Sequence, residues 1–398
     1  MKHIISIFAI MVICTAQASA QCVLPFIPSE ATMISEPENL MTHCPSIAIS
    51  KDGEAFIAYY RDASQQKEDA NMLSVEMKIV HFPIESWKNP DIKRIDFIKC
   101  GDSVGGYTQQ GRAPYDPILH IDGNRLTCLF SGFVDGEPTM VCRRMNLKNY
   151  RLENVIETCD LTYSVNGQKV TVPFNNTGVK KCYADLGITE HTSEFHNSEM
   201  DKTFIEYKGW LYNAIFVWCC PESRPVVVRT RDCIHYEVVF FCPEYQYGCA
   251  ECTMGIVNDE FYIQARSARP ADKSKVGTYL GKYSPDGVCL EAPRKIGNVE
   301  SRPAMIVLDG KLYSFYNVTP NVRTAETPKG VNRSHIRISN IDPLAQPLCG
   351  WDIVNENSLQ YYALASWGNK TYIVFVEDRQ HKANKSRKGN VSICEVKL

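Results

Sequence analysis

The feature that most constrains the fold is one hairpin pattern met six times along the chain. Each unit is an apolar run, a tight polar turn and a second apolar run. The units are SIAISKDGEAFIAYY (Ser46 to Tyr60), ILHIDGNRLTCLF (Ile118 to Phe130), TFIEYKGWLYNAIF (Thr203 to Phe216), a fourth inside AECTMGIVNDEFYIQARSARP (Ala250 to Pro270), AMIVLDGKLYSFY (Ala304 to Tyr316) and ALASWGNKTYIVFV (Ala363 to Val376). Their turns fall near Gly53, Gly123, Gly209, Asp259, Gly310 and Gly368, at intervals of 70, 86, 50, 51 and 58 residues. Such intervals leave room for two more short strands after each hairpin, which makes a four-stranded blade. Candidates for these outer strands are Val226 to Arg229 with Glu237 to Phe241, and Tyr279 to Tyr283. No long amphipathic helix is evident. The pattern predicts an all-β chain, a six-bladed β-propeller of four-stranded antiparallel blades. A pair of β-sandwiches is the alternative, and it leaves the repeated turn spacing without a cause.

The first twenty residues stand outside this pattern. Lys2 and His3 precede an apolar run from Ile4 to Ile13, and Ala18-Ser19-Ala20 is a small-residue cleavage site. Residues 1–20 therefore read as a signal peptide and 21–398 as a single exported domain, secreted, periplasmic or cell-surface. The run is too short to span a membrane and no later stretch is long and apolar enough, so no membrane insertion is expected. A net charge of −2 with well-mixed signs suggests neither a nucleic-acid surface nor a polybasic membrane patch. A monomer is expected. Of 17 cysteines, Cys14 leaves with the leader. The even remainder predicts disulfides in an exported protein, with small buried apolar side chains as the other reading. Cys249 and Cys252 have CxxC spacing without a matching CxxC or His pair, which argues against zinc.

In a propeller the first strand of each blade lines the central channel. Seven to ten residues before each turn the same register gives His43, Asp116, Asp201 (with Glu199 nearby), Glu251, Arg302 and Tyr361. All are polar although each precedes an apolar strand, which predicts a polar pocket on the axis. Polar loop residues before strands, or a water-filled channel, are the structural alternative. Strand ends and loops add Arg61, Asp62, Asp69, Arg266 and Arg269. Several guanidinium groups in one register imply an anionic ligand, because the planar fork pairs with a carboxylate through two hydrogen bonds.

Three fragments resemble Asp-box turns: SPDGVCL (Ser284 to Leu290), TRDCIHY (Thr230 to Tyr236) and SKDG (Ser50 to Gly53). With the hairpins they make the whole mature chain resemble, at motif level, the six-bladed propellers of the sialidase superfamily. The resemblance implies that three Arg hold a sialic acid carboxylate, that a Tyr paired with a Glu is the nucleophile, and that an Asp on an early loop is the acid/base. Glu251 resembles that Glu, Arg266 the second Arg and Arg333 the third. Tyr361 resembles the nucleophile, with Tyr362 as the competing choice, and Asp69 resembles the acid/base, with Asp62 as its runner-up. THCPSIAIS resembles the Arg-Ile-Pro motif, but His43 stands where the first Arg is expected and Cys44 where Ile is expected. Arg302 or Arg112 is then the candidate to complete the clamp.

The resemblance implies a retaining exo-α-sialidase that acts on glycans ending in an acidic sugar, without metal or organic cofactor. One rival is a propeller glycosidase or lyase for another acidic sugar, with His43 near Asp116 and Tyr361 in acid/base roles. The other is a glycan-binding propeller without turnover.

Overall fold

The computed structural model describes residues 31–36, 41–62, 75–109, 115–187, 198–217, 223–268, 270–318, 335–341, 350–354, 358–380 and 387–398. Its strands form six antiparallel blades in a ring. Blade 1 is Met41–Ile49, Glu54–Asp62, Val75–Pro83 and Lys93–Lys99. Blade 2 is Tyr115–Asp122, Arg125–Val134, Glu137–Asn146 and Arg151–Thr158. Blade 3 has an interrupted inner strand, Ser198–Met200 then Ile205–Tyr207, followed by Trp210–Val217, Val226–Thr230 and His235–Phe241. Blade 4 is Glu251–Val257, Glu260–Arg266, Thr278–Tyr283 and Cys289–Gly297. Blade 5 is Ala304–Leu308, Lys311–Val318, His335–Ile341 and Gly350–Val354. Blade 6 takes Ser358–Trp367, Lys370–Gln380 and Arg387–Val396 from the end of the chain.

The turns explain the hairpins. Lys208-Gly209, Asn258-Asp259 and Asp309-Gly310 all have positive φ at both central positions, the twist-matched type I′ geometry. Strand alternation then builds the interior. In the second strand of blade 1, Ile57 and Tyr59 pack toward blade 6 with Tyr362, Val374 and Val376. Phe56 and Ala58, one residue out of phase, pack toward blade 2 with Leu119, Leu126 and Phe130. This second strand is thus apolar on both faces.

The ring is closed by the N-terminal segment. Thr32–Met33 pairs antiparallel with the last strand of the chain and completes blade 6. The amides of Ile34 and Ser35 donate to the Val391 carbonyl at 2.9 and 3.3 Å, and Ser35 Oγ accepts from Val391 N at 3.1 Å. Ile34 is fully buried in the core shared by blades 1, 5 and 6.

The long interval between the second and third turns holds an insertion, which the hairpin pattern does not predict. A hairpin, Asp160–Val165 with Gln168–Pro173, joins the outer edge of blade 3 through a parallel pairing. It is followed by a ten-residue helix, Asn176–Asp185, the one α-helix among the described residues. Asn175 caps it, accepting from Gly178 N at 2.8 Å, and Val179, Cys182 and Tyr183 form its buried face. The cysteines also differ from the disulfide expectation. None of the twelve described cysteines is joined in a disulfide, and ten of them are buried. Cys128, Cys142, Cys159, Cys182, Cys233, Cys242, Cys249, Cys252 and Cys394 serve as small apolar fillers of the blade cores.

The closure strand makes a prediction. Ile34→Ala leaves a cavity where the ring is sealed, and is expected to cost about 2–4 kcal/mol of unfolding free energy, read from the shift in urea midpoint.

Candidate active site

Three blades carry the same irregularity at the axial end of their first strand. In blades 1, 2 and 6 the ladder register shifts between His43 and Ser46, between Tyr115 and Ile118, and between Gln360 and Ala363. At the first bulged position Cys44, Asp116 and Tyr361 have φ of 47°, 60° and 50°, a left-handed conformation uncommon for non-glycine residues. The residue of blade 1 equivalent to Asp116 and Tyr361 is therefore Cys44, one beyond the His43 expected from counting back along a regular strand. The bulge cancels the strand alternation, so His43 and Cys44 lie side by side.

The axis is crossed by a buried charge cluster. Arg302, preceding the first strand of blade 5, reaches Asp116 of blade 2 through Nη1 at 2.9 and 3.0 Å and donates through Nη2 to the Met200 carbonyl of blade 3. Lys202 of blade 3 also donates to Asp116 and, at 3.0 Å, to the Pro117 carbonyl. Arg302 is 1 % exposed and packs over the Phe216 ring. It is thus a cross-brace on a carboxylate of its own chain.

Asp201 is a second buried hub. Its Oδ1 accepts from Lys202 N at 2.7 Å, and its Oδ2 accepts from Thr253 Oγ1 at 2.7 Å and Met254 N at 3.2 Å. The carboxylate therefore ties blade 3 to the strand of blade 4 that begins at Glu251. Asn213 fixes the Asp201 backbone on both sides, through Oδ1 to its amide and Nδ2 to its carbonyl. Burial pushes the Asp201 carboxyl up to about 6, against the opposing effect of its hydrogen bonds and of Arg302.

Glu251 and Arg266 face each other across the blade 4 hairpin and join at 2.6 Å, both buried. Tyr361 sits against His43, with ring centroids 4.0 Å apart. His43 Nδ1 lies 3.0 Å from both Tyr60 Oη and Cys44 Sγ. Burial, followed by the charges of Cys44, Tyr361 and Asp116, holds the Tyr60 hydroxyl well above its usual range. Tyr362 is fully buried in the core between blades, whereas Tyr361 is partly exposed.

Arg61 stands in the second strand of blade 1, opposite Thr42. Its guanidinium is committed to Glu76, and to Glu36 at 3.5 Å, within blade 1. Asp69, Arg112, Arg269 and Arg333 lie outside the described residues, as do the side chains of Asp62 and Glu199. Sequence reasoning missed Lys202, Tyr60 and Cys44. The X-Pro steps Cys44-Pro45, Asp116-Pro117 and Arg302-Pro303, each before an apolar strand, were the available signal. Among the described residues no group of three or more His, Cys, Asp or Glu is placed to hold a metal ion, and no helix is long and apolar enough to cross a membrane.

No family model matches the chain, and no curated protein matches it in sequence. Solved structures do match in fold. A Dyadobacter fermentans protein of unknown function aligns with TM-score 0.57 at 11 % identity, over 92 % of this chain and 98 % of its own. An α-L-arabinofuranosidase from Fusarium graminearum aligns with TM-score 0.54 at 13 % identity, over 92 % and 97 %. A Trypanosoma rangeli sialidase variant displaying trans-sialidase activity aligns with TM-score 0.53 at 12 % identity, over 93 % of this chain and 57 % of its own. The chain thus spans little more than half of that sialidase, and the likeness to all three is one of fold.

The buried Asp201 makes a pH prediction. Its folded value of about 6 lies above the ordinary 3.8, so its contribution to stability is complete below pH 4 and is lost as pH rises through 6. Relative to Asp201→Asn, the natural protein is expected to lose on the order of 3 kcal/mol of unfolding free energy between pH 4 and 7. Urea titrations of both proteins across that range check the difference. A constant gap would show that Asp201 does not titrate there.

Proposed function

We propose that the chain is a propeller glycoside hydrolase, an exo-α-sialidase in type, that releases a terminal acidic sugar with retention. The observation that carries the reading is the pair of axial features on blades 4 and 6. Glu251 and Arg266 form a buried ion pair at the head of one inner strand, and Tyr361 projects from a left-handed bulge at the head of another. A sialoside bears a carboxylate on its anomeric carbon, which repels an anionic nucleophile. A neutral Tyr361 hydroxyl, deprotonated by Glu251 during attack, avoids that repulsion. Asp69 protonates the leaving oxygen and then activates water. Arg266 and Arg333 hold the substrate carboxylate. The sialidase and arabinofuranosidase fold neighbours support a glycosidase without distinguishing the sugar.

A second reading, a propeller glycosidase for a different sugar, is favoured by the fate of the expected clamp. His43 replaces its first Arg, and Arg302 is bound to Asp116. An assay with a fluorogenic α-sialoside and a nitrophenyl α-L-arabinofuranoside separates the two. Release from the sialoside is expected, falling on the order of 10³-fold or more in Tyr361→Phe and about 10²–10⁴-fold in Glu251→Gln. Release from the arabinofuranoside alone selects the second reading. Glycan binding without turnover, unchanged in both variants, would leave a binding propeller.

A further inference from the structure

Six Asn-x-Ser/Thr triplets occur in the chain, at Asn175, Asn317, Asn332, Asn369, Asn384 and Asn390. Such a triplet is an acceptor for N-linked glycosylation in an exported protein, and a bulky hydrophilic glycan needs a surface position. We propose that Asn369, in the tight turn of the blade 6 hairpin, carries an N-linked glycan. The inference is independent of the glycosidase reading and rests instead on residues 1–20 exporting the chain.

The structure separates the four described candidates. Asn317 is fully buried and its Nδ2 donates to the Leu359 carbonyl at 3.0 Å, so a glycan there would stand inside the contact between blades 5 and 6. Asn175 and Asn390 are half-buried. Asn175 holds the helix cap through Oδ1, and Asn390 lies in the ladder of the last strand, opposite Glu377. Of the four, Asn369 alone is exposed. Its side chain has no hydrogen-bond partner among the described residues, so modifying it breaks no contact.

The turn itself is well held. Trp367 and Lys370 form the ladder pair that closes it, and Gly368, with φ 60°, supplies the positive φ at the first central position. Trp367 Nε1 donates to the Lys51 carbonyl at 3.3 Å, which leans the turn on the blade 1 hairpin. Thr371, the third residue of the triplet, is 2 % exposed in the ladder opposite Ser366. A transferase must read that hydroxyl before the hairpin closes, and only an exposed acceptor lets the hairpin close afterwards. Tyr361 stands near the other end of the same strand, roughly 20 Å away at about 3.3 Å per residue. A glycan on Asn369 therefore leaves the axial bulges clear.

The donor is a lipid-linked oligosaccharide diphosphate. Asn369 Nδ2 attacks the anomeric carbon of its first sugar and the bond from that carbon to the diphosphate oxygen breaks. The lipid diphosphate departs, and the amide nitrogen gives up one proton.

Expression in insect cells behind the chain's own leader tests this. N-glycans are released from the secreted protein by peptide N-glycosidase in heavy-oxygen water, which converts each glycosylated Asn to an isotope-labelled Asp. Peptide mass spectrometry is expected to find the label at Asn369 and not at Asn317. Asn369→Gln, a conservative change at an exposed turn, is expected to be secreted with the loss of one glycan's mass. Secreted chains unlabelled at Asn369, or labelled at Asn317, overturn the proposal. A chain kept inside the cell without any glycan overturns it too, because the leader then fails.

Discussion

The structure turns on the pair formed by Arg302 and Asp116. Six inner strands converge on an axis where they do not pair with one another, so the polar groups they bring are satisfied by side chains and carbonyls from across the ring. Arg302 does so across the ring, engaging Asp116 in bidentate fashion and the Met200 carbonyl as well, while Lys202 approaches Asp116 from blade 3. Blades 2, 3 and 5 are thereby fixed at one point. Such a buried cluster is a weak source of net stability, because desolvation offsets much of the Coulombic gain. Its value is specificity of arrangement, since an isolated charge left behind by any slip of one blade would cost several kcal/mol. Asp201 repeats the principle one blade further on, linking blade 3 to the strand of Glu251.

The bulges at Cys44, Asp116 and Tyr361 are the second organising device. A non-glycine residue in the left-handed region costs roughly 1–2 kcal/mol. Two of the three also precede a proline, which disfavours helical backbone at that residue. The return is direction. At each site the residue leaves the alternation that would send it into an inter-blade core and stands at the axis instead. Tyr361 and Tyr362 show the result, one partly exposed against His43 and the other sealed in the core.

The blades were legible because their signal is local. Hairpin turns need left-handed residues, inner and second strands need apolar runs, and both can be read within fifteen residues. The axial ring was legible only as a register. Arg302 was readable as an axial residue, but its partner lies 186 residues away, and nothing local says that the guanidinium is already engaged. The misplacement of blade 1 by one residue has a definite cause. Counting at a period of two fails where a bulge adds a residue, so His43 was taken for the position that Cys44 occupies. The helix escaped notice because ten residues carry only one short apolar face. The disulfide expectation came from parity and compartment, two arguments that say nothing of where the strands place each sulfur.

The described axis is formally balanced, which bears on what can bind. Asp116, Asp201 and Glu251 are matched by Lys202, Arg266 and Arg302, all of them buried. Among the described axial residues, an arriving anion would share a cation that already has a carboxylate. Arg302 is poorly suited to this, since both its Nη atoms are held inside the ring. Arg266 differs in position, at the end of the second strand of blade 4, with Nη1 on Glu251. A guanidinium presents five donors around a planar fork, so it can hold one carboxylate on each edge. In the proposed reaction the same group would then link the Glu251 that serves Tyr361 to the sugar being cleaved. Substrate charge and proton transfer would be coupled through one side chain, and a neutral sugar would leave that coupling unused.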